Sequence, residues 1–171
     1  MGKSPLFFVE DSVLSGKICN LLPSLFVKLS DNNIQKFLTT IVKVSGNSKT
    51  TAAVILLSIY LDEKARSRIP ENFIDQLLKN AAPDNILRCQ LICDCIALHS
   101  SVYRDALNAT INYINGSKCK VITSCFISSS IVRYVPTLSE KVIVQLMDSA
   151  EQKLKAPQTI NYSLHFMGTL Y

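Results

Sequence analysis

Apolar residues recur three and four positions apart along most of this chain. Ile34, Phe37, Leu38 and Ile41 share one face of a helix that begins behind Asp31 and closes at Gly46. A second helix is predicted over residues 48–66. Its stretch 52–61 is almost continuously apolar, so it should be buried on most sides. Pro70 opens a third helix, with Ile74, Leu77 and Leu78 on one face; proline suits a first turn because its missing N–H would be unpaired there anyway. Pro83 opens a fourth, carrying Leu87, Leu91, Ile92, Cys95 and Ile96. Ser101 opens a fifth, with Tyr103, Ala106, Leu107 and Thr110, and Gly116 ends it. The sixth spans 117–134 and stops before Pro136.

Thr137 with Glu140 reads as a capping box for a seventh helix, whose face is Ile143, Leu146, Met147 and Ala150. Pro157 opens an eighth, and residues 11–29 read as one helix kinked or broken at Pro23. Residues 121–135 are β-branched enough to suggest a strand. That length without a turn signal suits a buried helix better.

These faces can be laid over one another. The set beginning at Ile34 matches those at Ile74, Tyr103 and Ile143, with spacings of 40, 29 and 40 residues. Each unit pairs a more polar helix with a more apolar one. The pattern predicts an all-α stack of antiparallel helix pairs, an α-solenoid, in which each hairpin buries its apolar face on the next. The expected organisation is an N-terminal helical segment over 1–30 and a helical-repeat domain over 31–171, with pairs near 31–66, 70–99, 101–134 and 137–171. A compact helical bundle is the alternative. In hydrophobic spacing and helix length, residues 31–171 resemble HEAT-type repeats and the octotricopeptide and heptatricopeptide repeats of organellar RNA-binding families. The resemblance implies a binding scaffold.

Composition bears on what such a scaffold would hold. Apolar residues make up 48 % of the chain and charged ones 18 %, below the roughly 25 % usual for soluble domains. Partners should therefore cover much of the surface. The net charge of +5 permits an anionic partner without requiring one. Cys19, Cys89, Cys93, Cys95, Cys119 and Cys125 fall inside apolar helical runs. That placement suits reduced thiols in an intracellular compartment, cytoplasmic or organellar (mitochondrial included), and not a secreted protein. The apolar run 52–61 is too short to cross a bilayer, so no membrane insertion is expected.

Catalytic and metal chemistry find little support. Cys89 and Cys93 share a helical face, as do Cys95 and His99, but the two pairs point in different directions, about 120° apart around the helix. One helix therefore cannot close a tetrahedral zinc site with all four. The stretch GNSKTT at 46–51 lacks the glycine before the lysine and the preceding strand of a phosphate loop. Asp94, within an apolar run, is expected to face a groove or a partner. No enzyme activity, metal or cofactor is expected.

The one electrostatic signal is basic. Lys49, Lys118 and Lys120 sit in or near helix first turns, where acids are favoured, and residues 117–136 hold Lys118, Lys120 and Arg133 with no acid. Cations beside free helix N–H groups suit phosphate. The sequence thus points to a non-enzymatic interaction subunit of a larger protein assembly, such as a ribonucleoprotein of the organellar ribosome or RNA-processing kind. RNA phosphates would be met by Lys49, Arg88, Lys118, Lys120 and Arg133, with Tyr134 stacking on a base. The alternative is a protein–protein adaptor that holds a partner helix in a groove without RNA.

Overall fold

The computed structural model describes residues 16–17, 19–46, 50–82 and 84–154. Residues 19–26 are helical straight through Pro23. Then come α1 (Asp31–Gly46), α2 (Thr50–Leu61), α3 (Glu63–Arg66), a 3-10 turn (Glu71–Phe73) leading into α4 (Ile74–Asn80), α5 (Ile86–Ser100), α6 (Arg104–Asn115), α7 (Val121–Tyr134) and α8 (Glu140–Leu154). No strand occurs among the described residues. The helix expected behind Pro157 lies outside them.

Several boundaries follow capping chemistry that periodicity alone misses. The helix expected over 48–66 breaks at Asp62, which is extended and accepts a 2.8 Å hydrogen bond from the Ala65 N–H. That side chain satisfies a first-turn donor and starts a new helix. Arg66 then donates to the Tyr60 carbonyl at 3.2 Å, closing the end of α2. Asn85 caps α5 by accepting from Arg88 N–H at 2.9 Å. α8 starts at Glu140, where Ser139 rather than Thr137 accepts from Val142 N–H at 3.4 Å. Lys118 and Lys120 precede α7, whose helical residues begin at Val121.

The predicted α-solenoid is not what forms. The chain folds as a compact helical bundle organised around α5, which packs on α2, α4, α6 and α7. Eleven of the fifteen α5 residues are buried, so this helix is enclosed on nearly every side. Around it, α1 packs on α2 and α4, while α6 and α8 close the far side. The HEAT-type and octotricopeptide-type resemblance falls with the regular stack. An i, i+3, i+4 face records that a helix is buried on one side, not which helices bury it. The even pairing drawn from those overlaid faces had no means of registering a hub.

Specific contacts set the register around this hub. Tyr60 near the end of α2 meets His99 near the end of α5, their rings edge-to-face at 5.9 Å. Cys89 in the first turn of α5 meets Thr123 in the first turn of α7. The three central helices therefore run in the same direction. Their apolar core includes Leu56, Ile59, Ile92, Ile96, Ile127 and Ile131, all at or near zero exposure. At roughly 1.5–3 kcal/mol for each fully buried side chain of this size, the group is a large share of the driving force.

Candidate interaction surfaces

The polar groups most suggestive of chemistry lie inside, already partnered. Asp94 does not face a groove. It is buried between α5 and α7, where its carboxylate accepts from Ser130 Oγ at 2.6 Å and Gln90 Nε2 at 3.0 Å. Gln90 Nε2 also reaches Ser130 Oγ at 3.2 Å, so the three form a closed set.

His99 is fully buried. Its Nε2 lies 2.9 Å from the Glu71 carbonyl, which can only accept, so Nε2 carries the proton. Nδ1 is then free to accept from Tyr60 Oη at 3.2 Å. Burial pushes the His99 pKa below its ordinary value, against the opposing effect of the Glu71 carbonyl. The ring is a neutral strut between three elements.

The thiols are likewise interior. None of the six cysteines is in a disulfide, and five of them are buried. Burial raises Cys93 and Cys95 well above the usual thiol range. Cys89 is shifted the other way: the Cys93 thiol hydrogen-bonded to it lowers its pKa, helped by Thr123 and Arg88 and opposed by burial. With no exposed surface, Cys89 cannot meet an external electrophile. Among the described residues, no three His, Cys, Asp or Glu side chains converge on a metal position. No helix there is long and apolar enough to cross a membrane.

The basic residues singled out in the sequence separate. Lys49 lies outside the described residues. Arg88 is 1 % exposed. Its guanidinium donates to the carbonyls of Asn80 at 3.0 Å and Ala82 at 2.9 Å, and pairs with the Asp84 carboxylate. It thereby ties the end of α4 to the start of α5. Lys118 and Lys120 are exposed, and with Lys79 and Tyr113 they line a hollow of about 120 Å³. Arg133 is exposed at the opposite end of α7, roughly 20 Å from Lys120 at 1.5 Å per residue. Its guanidinium lies 5.8 Å from the centre of the half-buried Tyr134 ring.

A larger concavity went unnoticed in the sequence. A groove of about 640 Å³ runs between α6, from Arg104 to Asn112, and the first half of α8. The loops entering both helices complete it. Exposed Val102 and half-buried Leu107 and Val142 give it apolar surface over the buried Ile111 and Val135, and Asn108, Asn112 and Gln145 supply amides. Among the described residues, the charged ones lining it are Arg104 and Lys141, both exposed. The polar pairs 108/112 and 141/145, each four apart, were the available signal: they mark helix faces that stay wet beside apolar neighbours.

α8 is also rotated relative to expectation. Leu146 and Ala150 are buried as predicted, but Ile143 and Met147 are 36 % and 41 % exposed, and Ser149 is buried instead. Comparison of the chain with protein-family models, with curated proteins and with solved structures finds no match.

Proposed function

We propose that this chain is a non-catalytic protein-interaction module that holds a segment of a protein partner in the groove between α6 and α8. The observation that carries the reading is the make-up of that groove: partly exposed apolar side chains set among amides and hydroxyls, between two helices of one body. Such surfaces suit a helical segment laid into a cleft. The volume also falls within the range of about 300–1,000 Å³ common for binding pockets. Large apolar side chains left on the surface, including Val102, Val144 and Met147, give a partner further area to cover.

A second reading, contact with RNA phosphates, is favoured by the hollow that Lys118 and Lys120 share with Lys79. Affinity purification of the full chain, with and without nuclease, separates the two. The groove reading expects the same protein partner after nuclease and its loss from Asn108→Trp, which fills the cleft from an exposed position. Recovery that vanishes with nuclease and is indifferent to Asn108→Trp would overturn it.

A further inference from the structure

We infer that the occupant of the α6–α8 groove is an acidic amphipathic helix, with apolar anchors about four residues apart and carboxylates at the end lodged between Arg104 and Lys141. The inference rests on the protein-binding reading and adds the partner's chemistry. Arg104 begins α6, Lys141 follows Glu140 in the first turn of α8, and both cations line the same groove. Among the described residues neither takes part in an ion pair, and no carboxylate lines the groove. Asp105 and Glu140 offset the positive helix starts of α6 and α8, but neither lines the groove, so the cations that do are Arg104 and Lys141.

The contrast within α6 is informative. Its other flank contributes Asp105 and Ala106 to a second concavity that also includes Glu71, so that side is acidic. An acidic segment is attracted to one flank of α6 and repelled from the other, which fixes where it docks. Val102, Leu107 and Val142, which keep exposed surface, add contacts that suit a partner's apolar side chains. From Arg104 to Asn112, α6 offers roughly 12 Å of groove, about two turns of a partner helix.

The test uses the purified full chain and two designed 16-residue helical peptides, read by fluorescence anisotropy. Both carry leucines four apart; one is flanked by glutamates and the other by lysines. The glutamate peptide should bind more tightly, lose roughly tenfold or more in affinity to Arg104→Glu with Lys141→Glu, and yield its advantage to the lysine peptide on that variant. Both positions are exposed, and Arg104→Gln with Lys141→Gln gives a milder check with unchanged melting. Equal binding of the two peptides, or preference of the native chain for the lysine peptide, overturns the acidic occupant and leaves the adaptor reading standing. If neither peptide binds and purification yields only nuclease-sensitive material, both readings fall.

Discussion

Removing the Arg88 guanidinium should destabilise the fold rather than weaken a ligand contact. Arg88→Met keeps much of the side chain's bulk and deletes its donors. Three acceptors lose a partner: the carbonyls of Asn80 and Ala82, and the Asp84 carboxylate. Hydrogen bonds to a charged group are worth about 1.5–3 kcal/mol each. Two considerations lower the sum. Asp84 is about half exposed, so its pairing is screened by water. Arg88 Nε has no partner, a cost the substitution relieves. A net loss of about 3 kcal/mol remains.

With a urea slope of about 2 kcal/mol/M for a chain of this size, that loss moves the midpoint down by roughly 1.5 M. Arg88→Lys, which keeps the charge but reaches fewer of these oxygens, should fall between wild type and Arg88→Met. The assay is equilibrium urea unfolding followed by far-UV circular dichroism. A midpoint within about 0.2 M of wild type, together with a fall in affinity for a single-stranded oligonucleotide, would refute the reasoning and return Arg88 to the surface.

Further predictions concern the buried interior. His99 is held neutral with a lowered pKa, so the unfolded chain binds its proton at higher pH than the folded one. Its contribution is complete above the ordinary histidine pKa of about 6.5 and drains away as pH falls from there toward the folded value. Melting temperature across that acidic range should drop less in His99→Gln than in wild type; equal slopes would contradict the burial argument. Among the thiols, the half-buried Cys19 should react with an aromatic disulfide reagent in the native state, while the other five react only on unfolding. Rapid native modification of Cys89 or Cys93 would contradict the packing of α5 on α7. Ser130→Ala leaves Asp94 with Gln90 alone and should cost about 1–3 kcal/mol. Ser130→Thr, which keeps the hydroxyl, should cost less by the same urea assay.

Helix positions were largely legible because the apolar period, prolines and glycines mark them: α1 ends at Gly46 and α6 at Asn115, just before Gly116. Arrangement was less so. The apolar run of α2 foretold burial on most sides, yet five of its twelve residues are buried and Val54 and Leu61 stay exposed; the interior pairing of Asp94 with Ser130, 36 positions apart, has no local signature. Arg88 illustrates the limit. In one dimension it is a cation near a helix start, the pattern of a phosphate contact. In three, α4 ends beside it, and two carbonyls together with Asp84 occupy its donors. The groove escaped notice for a related reason. Its walls come from α6 and the first half of α8, brought side by side only when both helices pack on the same body.

Hydrogen exchange on the full chain, alone and with its captured protein partner, tests the groove most directly. The account predicts new protection in the first turns of α6 and α8 and in the loops entering them, with α5 slow to exchange in both states. Protection gained instead across residues 118–133, with the α6–α8 groove unchanged, would contradict it.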